Sequence, residues 1–353
     1  MTDASKRFIT PLSVELASGG KVCEGLFSDP LAHIELAAEA ELAIIAPATA
    51  NIIGKYAHGI ADDLLSTLML AYQGPVVVAP AMNWRMYENP VVQRNISLLK
   101  ERGVIEVIPE CGSLACGEEG RGRMARIENI IEAARGAVTK QDLACRKIVV
   151  TAGPTREFMD SVRFISNRSS GKMGYAVARA ARRRGADVVL ISGPSALDAP
   201  DGVRMVRVVS AAEMHDAVKA ESAHAHALVM AAAVADFRAE GGGHTAEKRA
   251  KSEIREIRLT LNPDILAEAA KPRKRPVLVG FAADTSIERA REKYLKKGAD
   301  IIVYNDISDP EAGFDVDTNR ITIIDRKCES PHPLMSKDEA ADVILDSLVE
   351  KIT

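Results

Sequence analysis

Short runs of aliphatic and β-branched residues alternate along the chain with longer Ala-rich segments whose apolar positions recur at helical spacing. In the first part, 42–46 and PVVVAPA (75–81) are continuous apolar runs of strand length. Such runs predict strands buried on both faces. The stretch 51–70 between them carries the helical period and predicts a crossover helix. A second helix is predicted over 90–102, and a strand over VIEVIP (104–109). From 132 to 147 the sequence reads EAARGAVTKQDLACRK, polar and without strand pattern, which predicts a helix end and a linker.

A new series starts at KIVVTAG (147–153), with a helix predicted over 171–184 and strands over ADVVLISG (186–193) and ALVMAAA (227–233). PVLVGFAAD (276–284), a helix over 286–297 and ADIIVYND (299–306) repeat the unit. RITIIDRK (320–327) and an amphipathic helix over 337–351 close it. Strand and helix in strict alternation are the mark of βαβ units and a parallel sheet. The expected architecture is two α/β domains, 1–143 and 144–353, with no short internal repeat.

Composition agrees. A chain of 353 residues can bury two cores, and an aromatic content of 4% suits an α/β protein better than an aromatic-rich sandwich. The net charge of −3, with acids and bases interspersed, argues against a nucleic-acid-binding or membrane-surface protein. There is no apolar run of about 18 residues and no signal-peptide pattern, so a cytoplasmic protein is expected. The five cysteines are an odd number, scattered, which argues against a disulfide framework.

Several stretches carry candidate chemistry. SNRSSGKMG (166–174) places a Gly-Lys pair before a helix, but a G-x-x-x-x-G-K-[ST] phosphate loop needs a hydroxyl after the lysine. Met173 stands there, and G-x-G-x-x-G is also absent. What remains is either an anion site at a helix start or an ordinary N-cap by Ser169 or Ser170. ECGSLACGEEGRGRM (110–124) has the glycines of a flap over a site, and Cys116 is either a proton-donating thiol or an inert one. Cys111 and Cys116 are a poor zinc pair. His33 in DPLAHIELA is a lone histidine, and His224 and His226 are read as non-ligating. Asn83, after the strand in PAMNWRMYENP (80–90), stands where α/β sheets contact ligands. AEKRAKSE (246–253) is a solvated basic run or a phosphate clamp.

These fragments occur in order. HIELA, APATANIIGK, PAMNWRMYENP, LACGEEGRGRM, TAGPTRE, RFISNRSSGKMG, AAAVADF, NPDIL and GFAAD together span almost the whole chain. In this the sequence resembles the bacterial bifunctional phosphopantothenoylcysteine decarboxylase/phosphopantothenate–cysteine ligases of coenzyme A biosynthesis. The resemblance implies a flavodoxin-like first domain that binds FMN and assembles as trimers. His33 would be its base or positioning group, Asn83 would bind the substrate carboxylate with Met82 and Met86 beside it, and Cys116 would donate the final proton. Ala46, Pro47, Ala48, Asn51, Lys55 and Thr10 would lie near the flavin.

For the second domain the resemblance implies a dimeric Rossmann-like ligase. With CTP and Mg2+ it would make an acyl-cytidylate of 4′-phosphopantothenate that cysteine then attacks. Lys248 would stabilise triphosphate charge and Asn167 would bind the intermediate. Asp236, Phe281, Lys293 and Lys297 would contact CTP, and Pro263, Asp264, Ile265 and Leu266 would line the same pocket. Arg168, Ser169, Ser170 and Lys172 would hold phosphopantothenate. The choice of CTP over ATP rests on the resemblance alone.

The match departs at its start. The family opens with a strand, a glycine-rich turn, a helix and a second strand before the stretch matched here by MTDASKRFITP. Without the first strand an unpaired hydrophobic edge is expected. A mis-called start or truncation, a segment supplied by another chain, and a silent decarboxylase domain are the competing accounts. Two further readings stand beside the bifunctional enzyme: a ligase alone, and a non-catalytic regulatory subunit of the decarboxylase fold. Smaller departures are Arg168 where the family commonly has His, Arg249-Ala250 within the family's lysine run, and Tyr304 where a small residue is usual.

Overall fold

The computed structural model describes residues 1–27, 31–113, 117, 119–243, 256–313 and 315–352. The chain divides into two compact units, Met1–Thr139 and Lys140–Thr353.

In the first unit, helices α1 (Pro11–Ser18) and α2 (Ala32–Glu39) precede strand β1 (Ala43–Ala48). Then follow α3 (Ala50–His58), α4 (Leu64–Ala71), β2 (Val76–Pro80), α5 (Trp84–Tyr87), α6 (Pro90–Glu101) and β3 (Ile105–Glu106). A hairpin of β4 (Glu110–Ser113) and β5 (Glu119–Arg123) and helix α7 (Ile127–Val138) complete it. Strands β1, β2 and β3 form a parallel sheet in that order. Every residue of β2 is buried, as its unbroken apolar run requires of a central strand. At the outer edge, β1 leaves Ile44 at 47% exposure.

The single crossover helix expected over 51–70 is two helices. Gly59 takes a left-handed φ of +70° and closes α3 through its N–H to the Lys55 and Tyr56 carbonyls. Asp63 then starts α4 afresh, its carboxylate accepting from the Ser66 N–H while Ser66 returns a bond to the Asp63 backbone. The strand expected over 104–109 shrinks to two residues paired with β2.

The second unit contains β6 (Lys147–Ala152), β7 (Arg156–Phe158), β8 (Phe164–Ser166), α8 (Lys172–Arg183), β9 (Asp187–Ser192), β10 (Arg204–Arg207), α9 (Ala211–Ser222) and β11 (Ala227–Met230). It continues through β12 (Phe237–Ala239), β13 (Leu259–Leu261), α10 (Ile265–Ala269), β14 (Val277–Asp284), α11 (Ile287–Lys297) and β15 (Ile301–Asp306). It ends with β16 (Thr318–Asn319), β17 (Ile321–Asp325), β18 (Glu329–Pro331), β19 (Met335–Ser336) and α12 (Lys337–Ile352).

Its eight-stranded sheet runs β10-β9-β6-β11-β14-β15-β17-β18, parallel through β15 and antiparallel after it. The chain winds outward from β6 to β10, then returns to lay β11 on the other side of β6. That reversal is a topological switch point, the place where open α/β sheets leave a crevice beyond their strand ends. Helices α8 and α12 cover one face and α9, α10 and α11 the other, each over its own apolar cluster. Gly174 lets α8 lie against β6: a Cβ there would stand 2.8 Å from the Thr151 carbonyl oxygen. Arg179 and Arg183 of α8 reach Asp338 and Asp342 of α12 at 2.9 and 3.2 Å, fixing α12 and with it Lys337 at its start.

Candidate active sites

The switch-point crevice of the second unit is a cavity of about 660 Å³. After β11, the backbone of 231–236 enters it under tight control. The Thr151 and Thr155 hydroxyls accept from the N–H groups of Ala232 (3.2 Å) and Ala235 (3.0 Å). Asn167 Nδ2 donates to the carbonyls of Ala233 (3.3 Å) and Val234 (3.1 Å), and Asn262 Nδ2 to that of Ala235 (2.8 Å). Asn167 is thus anchored by its amide nitrogen at the wall of the cavity.

At one end lies the start of α8. Its N-cap is Gly171, at φ +84° and without a side-chain cap, rather than Ser169 or Ser170. The reason is close approach: a Cβ on Gly171 would crowd Gly153 Cα and N at 3.3 Å. Ser169 Oγ only accepts from the Gly171 N–H at 3.4 Å, and the Ser170 carbonyl accepts from Ser195 Oγ at 2.8 Å. The first-turn amides therefore present a partial positive charge without a side-chain acceptor. Arg168 pairs with Asp315 at 3.0 Å, and Lys172 with Asp317 at 2.7 Å. Lys337 joins this group, 7% exposed, donating to the Gly313 and Val316 carbonyls. Burial first, and Lys172 second, push its ammonium down to about 8 against the pull of Asp317 and Asp315.

A second group of cations comes from α11. Lys293 donates to the Phe281 carbonyl, and Lys297 pairs with Asp264. Burial, then Lys297, lowers the Lys293 ammonium below the ordinary lysine range. Burial works to raise the Asp264 carboxyl, but Lys297 and the Ala267 N–H outweigh it and hold it below the usual carboxylate range. Asp236, Pro263, Ile265, Leu266 and Phe281 line the same cavity. The structure thus gathers every residue expected in the ligase pocket except Lys248, which lies outside the described residues. His226 accepts the Lys147 N–H on Nδ1 at 3.0 Å, a structural bond between strands. Among the described residues no group of three metal-ligating side chains occurs.

In the first unit, the carboxyl ends of β1 and β2 lie side by side, Ala48 opposite Pro80 and the Ala81 N–H on the Ala48 carbonyl at 3.0 Å. Ala46, Pro47 and Asn51 are exposed there and Ala48 is buried. Thr49, the N-cap of α3, supplies no side-chain cap. Asn83 caps α5, accepting from the Arg85 N–H at 2.9 Å; Met82 is half-buried and Met86 is 49% exposed. The β4–β5 hairpin closes on this loop: Met82 N–H donates to the Gly122 carbonyl at 3.0 Å, and a Cβ on Gly122 would collide with the Met82 oxygen. A flap is therefore present, and Cys116, between its strands, lies outside the described residues. Lys55 forms ion pairs with Asp62 (2.6 Å) and Asp63 (2.8 Å). Thr10 caps α1 at the Ser13 N–H, on a helix that buries none of its residues. His33 stands in the first turn of α2, its Nδ1 buried without a partner.

Residues 143–352 match the family described as DNA/pantothenate metabolism flavoprotein C-terminal domain, and residues 1–139 match the family described as flavoprotein. The coenzyme A biosynthesis bifunctional protein CoaBC of Escherichia coli (strain K12) is 43% identical over 362 residues, spanning 99% of this chain and 89% of that protein. Its counterpart in Bacillus subtilis (strain 168) is 43% identical over 360 residues, 99% and 88% of the two. The chain belongs to the CoaBC family. Among solved structures, the C-terminal domain of a CoaBC protein superposes with a TM-score of 0.51 at 36% identity, covering 60% of this chain and 98% of that one. The DNA/pantothenate metabolism flavoprotein from Streptococcus pneumoniae, at 21% identity and TM-score 0.50, shares the fold. As a CoaBC-type protein the chain is a bifunctional coenzyme A biosynthesis enzyme, with decarboxylase and ligase activities.

Sequence reasoning passed over several members of the CoaBC cavity. Asn262, Asn305, Asn319 and Lys337 all line it or pin its loops. Asp315 and Asp317 occupy two of its cations. Asn262 sits within the NPDIL motif, so its neighbours carried a signal; Asn319 lies in no motif, and Lys337 is only the first residue of the predicted 337–351 helix.

Proposed function

We propose that the second unit joins 4′-phosphopantothenate to cysteine at the expense of CTP, and that the first unit decarboxylates the product to 4′-phosphopantetheine with FMN. The observation that carries the ligase half is one cavity bearing two separate groups of cations, Arg168 and Lys172 at an uncapped helix start and Lys293 with Lys297 on α11. Each group suits one phosphorylated reactant. The phosphopantothenate phosphate sits at α8, displacing Asp315 and Asp317 from their cations. The triphosphate sits against α11, with Lys248 completing its charge balance.

The chemistry follows from that placement. A carboxylate is a poor acyl donor until its oxygen becomes part of a good leaving group. Its attack on the α-phosphorus of CTP forms the acyl-cytidylate and expels pyrophosphate; the cysteine amine then attacks the acyl carbon and CMP leaves. Cations at α11 stabilise the charge that builds on the departing pyrophosphate. Asn167, held by two backbone carbonyls, positions the acyl group. Mg2+ enters with the triphosphate.

For the first unit, the residues at the ends of β1 and β2 fit a flat flavin ring: Ala46, Pro47 and Ala48 are small, and the start of α3 has no side-chain cap. Lys55, at the last turn of α3, is paired with Asp62 and Asp63, and a group bound nearby would compete with those carboxylates for it. When bound, FMN supplies two-electron oxidation of the substrate thiol and its later reversal, making the neighbouring carboxylate easy to lose. Asn83 orients that carboxylate, His33 with its unpartnered Nδ1 moves or positions a proton, and the flap excludes water with Cys116 as proton donor.

No described helix is long and apolar enough to cross a membrane, which supports a cytoplasmic enzyme. Exposed apolar side chains, Phe8 just before α1 with Leu12 and Leu16 on it, and Phe237, Leu259 and Leu261 on β12–β13, support assembly of both units into homo-oligomers. The test is to purify the chain, record its visible spectrum, and incubate it with CTP, phosphopantothenate and cysteine. Release of pyrophosphate and CMP with formation of the acylated cysteine establishes the ligase. Flavin absorbance with carbon dioxide release establishes the decarboxylase, and a colourless ligase would leave the ligase-alone reading standing.

A further inference from the structure

One polar group in the ligase cavity has no part in the scheme above. Asn319 lines the cavity and is 3% exposed. Its Nδ2 reaches only Met173 Sδ, at 3.7 Å, and its Oδ1 is buried without a hydrogen-bond partner. A thioether is a weak acceptor, so the carboxamide is under-satisfied whichever way its oxygen and nitrogen are assigned. Buried polar groups in folded proteins are nearly always paired, and an orphan marks a missing water or ligand.

The position is built rather than incidental. Asn319 pairs with Met335 across the β16–β19 ribbon, so its backbone is held by a ladder. Met173 belongs to the first turn of α8, which puts Asn319 beside the uncapped helix start and its cations. With a phosphate monoester at that helix start, the next atoms of phosphopantothenate are a methylene, a quaternary carbon bearing two methyl groups, and then a carbon bearing a secondary hydroxyl. The hydroxyl is the nearest group able to donate to a carboxamide oxygen, and the methyl groups on the quaternary carbon suit the Met173 side.

We propose that Asn319 determines substrate specificity in the ligase cavity by hydrogen-bonding the secondary hydroxyl of the pantoyl segment while the phosphate rests at the start of α8. The proposal rests on the ligase reading given above. A site built around such a bond rejects the analogue that lacks the hydroxyl, because the protein group is then left unpaired.

The experiment is a cycle between enzyme and substrate. Pyrophosphate release is measured for the full chain and for Asn319→Leu, each with phosphopantothenate and with its deoxy analogue lacking the secondary hydroxyl. Asn319→Ser serves as a second, smaller variant if the leucine form does not fold. The unsubstituted enzyme is expected to favour the hydroxylated substrate by about tenfold or more in kcat/KM. The variant is expected to discriminate by less than about twofold, with the KM for CTP unchanged, as a direct hydrogen bond requires. Equal discrimination by enzyme and variant, with ligation intact, overturns the proposal alone. Absence of any phosphopantothenate-dependent pyrophosphate release from the unsubstituted chain overturns the ligase reading and this proposal with it.

Discussion

Lys293 donates from its ammonium to the carbonyl oxygen of Phe281 at 2.6 Å, tying α11 to the strand that floors the ligase cavity. Burial, and Lys297 beside it, lower the proton affinity of this ammonium in the folded chain. Between that lowered value and the ordinary lysine value of about 10.4, the unfolded chain binds more protons, so stability rises with pH across the window. Below it the folded protein carries the cost of a desolvated charge. Lys293→Met should therefore match or exceed the unsubstituted chain in thermal stability at pH 7, with the difference shrinking toward pH 10. Its kcat/KM for CTP should fall about tenfold or more. A variant less stable at pH 7 than at pH 10, relative to the parent, would show that the charge is stabilising and the argument wrong.

Gly122 governs the flap of the first unit. Its backbone accepts from the Met82 N–H, and any Cβ would strike the Met82 carbonyl, which cannot swing aside as a side-chain tip would. Gly120, two residues earlier, faces Trp84, the one tryptophan of the sequence. Gly122→Ala should lift the hairpin from the Asn83 loop and lower decarboxylation by about tenfold or more, as loss of precise positioning does. Ligation should be unchanged. Tryptophan emission should shift to the red as Trp84 gains water; unaltered emission together with full decarboxylase activity would show that the flap tolerates the methyl group.

Much of this architecture was legible because burial left a one-dimensional trace. β2, β6 and β11 lie inside parallel sheets, so each is a continuous apolar run, and α8 buries Ala176, Val177, Ala180 and Ala181 at helical spacing. The break between α3 and α4 was not legible. Apolar spacing continues through Ile60 and Leu64, and only the left-handed φ of Gly59 and the Asp63 cap interrupt it. β10 reads RMVR and is an edge strand with exposed ends, so its pattern is mixed. In the site, motif residues were read from family resemblance, whereas Asn319 and Lys337 acquire chemistry only when the short β16–β19 ribbon brings them to α8. The neutralisation of Arg168 and Lys172 by Asp315 and Asp317 is likewise tertiary, and no spacing announces it.

Tyr87 illustrates a polar core bond with a defined pH signature. Its hydroxyl donates to Glu106 at 2.8 Å; the Glu106 side chain is 3% exposed and also pairs with Lys100. Burial first, then Glu106, push the phenol up to about 12. A proton held more tightly in the folded state gives stability that is complete below the unfolded tyrosine value of about 10 and lost as pH rises toward about 12. Tyr87→Phe leaves the buried carboxylate one donor short and should cost about 1–3 kcal/mol at pH 7. Urea unfolding of the two proteins measures it. The difference should narrow above pH 10, and a constant difference would assign the loss to packing instead.

Asn167 offers the sharpest separation of the two ligase half-reactions. Its Nδ2 donates to the carbonyls of Ala233 and Val234, so the carboxamide is clamped by the segment that follows β11. Asn167→Asp keeps the shape but replaces the donor with an anion facing two carbonyl oxygens. The side chain must then turn out of its clamp, and an unpaired negative charge enters a cavity that has to admit a carboxylate and polyphosphate. On the proposed function, attack on CTP depends chiefly on the cations of α11, which the change leaves in place, whereas transfer of the acyl group to cysteine depends on how Asn167 presents it. The variant should therefore still release pyrophosphate, once per site, and accumulate the acyl-cytidylate while overall ligation falls about tenfold or more. Mass spectrometry of quenched reactions checks this directly. Normal turnover, or a pyrophosphate step slowed as much as the whole reaction, would remove Asn167 from acyl transfer and move that role to another group on the 231–236 segment.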